Sequence, residues 1–125
     1  MMYKSDDGSL TKDHYTYKWV DTIINLLHSI GRDCIPGKKL RKMAEEAGFV
    51  NIQETVIKIP FGPWPKDPHL KELGMLNVAQ ILEGLEGLSV KPLSMLGYSE
   101  EEVTVLVAHV RKELKSKAFH AYYTL

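Results

Sequence analysis

A chain of 125 residues can fill one well-packed core and is too short for two. Apolar residues make up 44% of it and charged residues 26%, which excludes an intrinsically disordered composition. Sixteen basic residues offset sixteen acidic ones, so there is no global field to draw in nucleic acid or an anionic membrane.

The first ten residues are polar, and Asp6, Asp7, Gly8 and Ser9 form a turn signal. A helix is expected over residues 11–30. Trp19, Val20, Ile23, Ile24, Leu27 and Ile30 recur at spacings of three and four, and Gly31 supplies the left-handed stop. A second helix is expected over 36–47. Pro36 suits its first turn, Leu40, Met43, Ala44 and Ala47 form its inner face, and Gly48 ends it. Residues 49–59 are rich in Val, Ile and Thr and read as a strand. Val50, Ile52 and Val56 fall on one face, Ile57 and Ile59 on the other. Pro60 has no N–H for a ladder and is expected to end the strand. The prolines at 60, 63, 65 and 68 then stiffen the loop PFGPWPKDP.

Helical character returns over 68–85 in Leu70, Leu73, Leu76, Val78, Ile81, Leu82 and Leu85. Gly74, Gly84 and Gly87 divide it, which predicts two or three helices at angles. Residues 88–96 read as a short apolar helix or turn interrupted by Pro92. Ser99 with Glu102 forms a capping box, and Val103, Leu106, Val107, Val110 and Leu114 give the stripe of a further helix. Arg111, Lys112 and Lys115 complement its dipole. Residues 119–125, FHAYYTL, read as a strand.

The chemistry-bearing residues are sparse. His14, His28, His69, His109 and His120 are scattered, with no metal-ligand spacing, so no metal site is expected. There is no nucleophile elbow, P-loop or G-x-G-x-x-G. Asp6 and Asp7 have the residue type of an acid–base pair, but a solvated turn explains them better. Cys34 cannot pair internally and reads as an inert thiol in a reducing compartment. No apolar run approaches the ~20 residues of a membrane span, and the start carries no signal-type stretch, so the expected home is cytoplasmic or nuclear. The run KKLRKMAEEAGF, residues 38–49, suggests a DNA-reading helix. Its cations Lys38, Lys39, Arg41 and Lys42 are offset by Glu45 and Glu46, and a solvated face fits better.

Several ordered segments carry a family likeness. They are SDDGSL (5–10), the helix around Trp19, Gly31-Arg32, EEAGF (45–49), WPKDP (64–68) and KELG (71–74). EGLEG (83–87), EEV (101–103), VRKEL (110–114) and HAY (120–122) complete the set. Together they resemble the later part of class I S-adenosylmethionine (SAM) dependent methyltransferases, most closely the fungal LaeA-like type of secondary metabolism. The resemblance covers nearly the whole chain, and WPKDP is its most specific piece.

That resemblance implies an α/β fold: the C-terminal part of a Rossmann-like class I methyltransferase, mostly helical with two strands. Residues 1–125 would be the substrate-side part of the domain and residues 60–99 a helical, lid-like insertion. Residues 49–59 would be the sixth strand, and the run from Phe119 the seventh, antiparallel between the fifth and sixth. SAM would be the cofactor of the complete fold. Its glycine-rich strand–turn–helix is not among these residues, so no cofactor is expected for this chain alone and no residue is assigned to bind it. The implied activity is methyl transfer to a small molecule or protein, with this portion inactive by itself.

Trp64, between Pro63 and Pro65, is a candidate wall of a substrate pocket or a plug under the sheet edge. His120 and Tyr122, with Tyr123, are candidate substrate-facing residues, and His120 has the chemistry of a base near neutral pH. Alternate ones among them would be core. Three readings follow: a substrate-side methyltransferase portion, a non-catalytic module of the same shape that binds a protein partner, and a helical nucleic-acid binder. Partners are a small molecule or a protein, with homo- or hetero-oligomers allowed and neither nucleic acid nor membrane expected. Two short strands cannot make a stable sheet alone, so self-association is expected.

Overall fold

Ser99 starts the most firmly specified helix of the chain. In the computed structural model, which describes residues 3–117 and 119–125, the Ser99 hydroxyl accepts from Glu102 N–H at 3.2 Å. The Glu102 carboxylate accepts from Ser99 N–H at 2.8 Å, which completes the capping box. The helix that follows, Glu100–Lys115, is the fourth in chain order, α4. The others are α1 (Tyr15–Ser29), α2 (Gly37–Glu46) and α3 (Pro68–Met95), with strands β1 (Lys58–Phe61) and β2 (Ala121–Thr124).

The core is a helix layer laid on the short sheet. Leu85 and Leu93 of α3 and Val110 of α4 are fully buried, joined by Trp19, Val20 and Ile24 of α1 and by Val103, Val107 and Leu114 of α4. Phe61, Phe119 and Ala121 close it from the sheet side. Trp19 donates its indole N–H to the buried Ser89 hydroxyl at 2.8 Å, and Ser89 in turn donates to the Leu85 carbonyl. The N-terminus of α1 has no side-chain cap of its own. Glu113 of α4 supplies one: its carboxylate accepts from the N–H groups of Tyr15 and Thr16 at 2.9 and 2.8 Å and from the Thr16 hydroxyl at 2.8 Å. A negative group there also meets the positive end of the helix dipole.

Five expectations are corrected. Residues 68–96 form one continuous helix to Met95, not two or three. Asp67 caps it by accepting from Leu70 N–H at 2.9 Å, and Pro68 occupies its first turn. Its glycines do not break it. Gly74 is there for close approach: a Cβ would run into the Gly62 carbonyl oxygen of the loop after β1, while Gly62 N–H donates to the Gly74 carbonyl at 3.2 Å. An interior glycine costs about 1 kcal/mol against alanine, and a fully buried leucine returns about 1.5–3 kcal/mol. Leu85 therefore outweighs its neighbour Gly84, and the buried run Leu85, Ser89, Leu93 carries the helix through Pro92.

The strand expected over 49–59 is shifted and shorter. Phe49, Val50 and Val56 are exposed, and the ladder runs over Lys58–Phe61. Pro60 lies inside it. It faces Tyr122, whose own N–H and C=O pair with Lys4 on the other side at 2.9 and 2.8 Å. At this position the β1–β2 ladder needs no N–H from β1, so proline is tolerated. The Pro60 carbonyl points outward and accepts from the buried Asn77 amide of α3 at 2.9 Å. Finally, the expected inner face of α2 is open: Leu40 and Met43 are more than half exposed, and no residue of α2 is buried. In α1, Leu26 is buried and Ile30 is exposed, the reverse of the expected stripe at that end.

Lys4 pairs antiparallel with Tyr122, and β1 pairs antiparallel with β2. The Lys4 segment and β1 therefore run in the same direction on either side of β2. Their carboxyl ends open into residues 5–9 and 62–67, beside His120 at the start of β2.

Candidate functional site

At that end of the sheet the structure brings together side chains that lie more than fifty residues apart. Trp64 is fixed by donating its indole N–H to the Ala121 carbonyl at 3.0 Å, and it stays 37% exposed. Its ring stacks on the His120 imidazole, with centroids 5.3 Å apart and planes at 25°. His120 donates its backbone N–H to the Ser9 hydroxyl at 2.7 Å, and its Nδ1 lies 2.7 Å from Asp7 Oδ2.

Asp7 is set up to receive that contact. The Ser5 hydroxyl donates to Asp7 Oδ1 at 2.6 Å, and Ser9 N–H donates to the same oxygen at 3.0 Å. The Ser5 hydroxyl first, then Ser9, and least of all His120 hold its carboxyl well below the usual carboxylate range. Asp6 has different partners. It accepts from Lys58 Nζ at 2.7 Å and from the Tyr122 hydroxyl at 2.6 Å, and these two contacts lower its pKa. Lys58 Nζ also lies 4.4 Å from the centre of the Tyr122 ring.

Of the three sequence-derived site residues, Trp64 and His120 are therefore in contact and open to solvent. Tyr122 is nearly buried beneath Lys58, with its hydroxyl engaged by Asp6. Tyr123 turns to the other face, where it packs against the core and meets Tyr3 edge-on. Asp6 and Asp7 read as a solvated turn, and they are solvent-exposed, but Asp6 is bonded to Tyr122 of β2 and Asp7 to His120 just before it. No local pattern announces that pairing, because the partners are 113 and 116 residues away.

A groove of about 560 Å³ lies elsewhere, between α3 and α4. Val90, Val103, Val107 and Ala108 line it along with Arg111, Lys112 and Lys115. Among the described residues there is no cluster of three metal-ligating side chains and no helix long and apolar enough to cross a membrane. On α2, Lys39 pairs with Asp33, Arg41 with Glu54 and Glu45, and Lys42 with Glu46, so these cations are locally matched.

Known proteins resemble this chain over nearly its whole length. Methyltransferase pytC of Aspergillus terreus is 38% identical over 124 residues, which is 98% of this chain and 38% of that protein. The secondary metabolism regulator LAE1 of Cochliobolus heterostrophus is 34% identical over 121 residues, 95% of this chain and 39% of its own length. Protein-methionine methyltransferase laeA of Chaetomium globosum is 32% identical over 123 residues, covering 97% of this chain and 39% of that protein. This chain is a homologue of the fungal LaeA-like proteins. It spans about two fifths of the length of the curated relatives it matches. No protein-family model matches the chain, and no solved structure does.

The family implies SAM, and the described residues do not fit it. Class I nucleotide crevices place a glycine-rich turn between a strand and the helix it opens. The one glycine after a strand here, Gly62, is packed against Gly74 and lies six positions before α3. No residue of this LaeA-like chain is assigned to the cofactor.

Proposed function

We propose that this chain is the substrate-side portion of a SAM-dependent methyltransferase of the LaeA-like type, on a Rossmann-like class I fold. One observation carries the proposal. Trp64 and His120 meet at the carboxyl ends of two like-directed segments, Lys4 and β1, with antiparallel β2 between them. Open α/β sheets take their ligands outside the carboxyl ends of the strands. The order Lys4, β2, β1 is also the one expected of the fifth, seventh and sixth strands of such a fold. In this reading Trp64 and His120 face the methyl acceptor, a small molecule or a protein side chain. Tyr122 anchors the loop beneath them, and residues 60–99 wall the site. In this reading the SAM-binding part lies outside these residues, and these residues by themselves do not methylate.

A second reading has its own support. Leu40, Met43, Phe49, Val50, Val56 and Ile57 are exposed, with Val50 at 82% and Phe49 at 69%. An apolar strip of this kind marks a contact surface. A non-catalytic module of the same shape would use it to bind a protein partner, whereas the methyltransferase reading assigns it to the rest of its own domain.

Co-expression with the part of pytC that this chain does not cover separates the two. The methyltransferase reading expects a soluble complex that binds SAM by calorimetry, while the chain alone self-associates and gives no SAM heat. A sharp monomer peak for the chain alone with cooperative unfolding, and no complex, would overturn it. A stable complex without SAM binding would favour the interaction module.

A further inference from the structure

We infer that Asp7 is a positioning residue that locks the His120 ring with Nδ1–H on its carboxylate, so that Nε2 is presented outward as a proton acceptor for a planar, hydroxyl-bearing ligand. Nothing in the sequence pattern pairs these two residues. Three contacts hold the ring. Its backbone N–H is tied to Ser9, its Nδ1 lies 2.7 Å from Asp7 Oδ2, and one face is stacked on Trp64.

The tautomer follows from the donor inventory. An ionised carboxylate only accepts, and Asp7 is kept ionised by the hydroxyl and N–H groups of Ser5 and Ser9. The proton in the 2.7 Å contact therefore belongs to Nδ1. In the neutral ring this leaves the lone pair on Nε2, and no described residue meets that atom. A hydroxyl arriving there donates its proton to Nε2. The imidazolium that forms keeps Nδ1–H on Asp7, whose negative charge stabilises it. Beside it, Trp64 stays 37% exposed and offers rigid aromatic surface to a flat ring. That the ligand is a methyl acceptor rests on the proposed function. The tautomer and its cause do not.

The test is long-range 1H–15N NMR on the full chain labelled with 15N, at a pH where His120 is neutral. The wild-type spectrum should show His120 in the Nδ1–H form, with an unprotonated Nε2. Asp7→Ala should shift it toward the Nε2–H form that an unrestrained imidazole prefers. Asp6→Ala, which releases the same loop from Tyr122 and Lys58, should leave the His120 tautomer as in wild type. Phenol, used as the probe, should move the His120 Nε2 resonance in wild type and lose most of that effect in Asp7→Ala.

A wild-type His120 already in the Nε2–H form overturns the inference without any variant. So does an equal change in both variants, which would mean that the loop acts only as structure. Absence of any phenol shift overturns the ligand assignment. None of these readouts depends on methyl transfer, so a failed reconstitution with pytC and a failed tautomer assignment are distinguishable.

Discussion

The last long helix and the stretch from α2 to Ile57 carry equally plain local signals and end in opposite surroundings. Both start and stop where turn and cap chemistry place them: Ser99 opens α4, and Gly48, with φ of 89°, closes the turn after α2. Val103, Val107, Val110 and Leu114 then bury their stripe against α3 and α1, whereas Leu40, Met43, Phe49 and Val50 remain in solvent. Local signals place the ends of these two helices. Burial needs a second surface, and only one of these two regions has it within the described residues. The contrast places the packed core on α1, α3 and α4, and a set of exposed apolar side chains in residues 37–57.

The largest expected effect lies in the packed region. Leu85→Ala removes a side chain with no exposed surface, wedged between α3 and its neighbours. It should cost about 2–5 kcal/mol, because the lost transfer energy adds to a cavity that the surrounding helices only partly close. Chemical denaturation followed by circular dichroism would show the midpoint fall. A loss below about 1 kcal/mol would mean that this site collapses freely and is not a packed core.

A smaller effect isolates the local signal itself. Ser99→Ala should cost about 0.5–2 kcal/mol, since the Glu102 N–H loses its acceptor and the reciprocal contact to Ser99 N–H loses its geometry. The same denaturation measurement reads it. An unchanged midpoint would show that α4 is held by packing alone.

How far each feature could be read from sequence follows from the reach of its cause. α4, the end of α1 at Gly31 and the final strand were legible, because cap, stripe and stop lie within a few residues of one another. The continuity of α3 was not, because Gly74 exists to let Gly62 approach, and that contact is tertiary. The Glu113 cap on α1 was equally hidden, 98 residues from the N–H it serves. Pro60 misled for a related reason. Its lack of an N–H matters only on the side of the strand that makes ladder bonds, and that side is fixed by pairing with a strand sixty residues later. Trp64 and His120, singled out by residue type, stack on each other in the structure. Asp7 looked like any turn aspartate, since a turn and a histidine buttress use the same residue.

The smallest effect on stability should come with the largest effect on assembly. Phe49 is 69% exposed and outside any strand, so Phe49→Ser removes little buried area and should change the unfolding free energy by no more than about 0.5 kcal/mol. If residues 37–57 are the seat for the rest of a methyltransferase domain, the same substitution leaves a gap in that contact. A large aromatic at the centre of an apolar interface commonly carries about 2 kcal/mol or more of the binding energy, roughly thirtyfold in the dissociation constant. The two measurements must therefore separate: a denaturation curve that overlays wild type, and a complex with the uncovered part of pytC that is lost on size-exclusion chromatography. If Phe49→Ser instead destabilises the chain alone by more than 1 kcal/mol, the residue packs within this chain and the contrast between the two regions fails. If it alters neither stability nor complex formation, the seat lies on another face, and the α3–α4 groove lined by Val90, Val103 and Val107 becomes the surface to vary next.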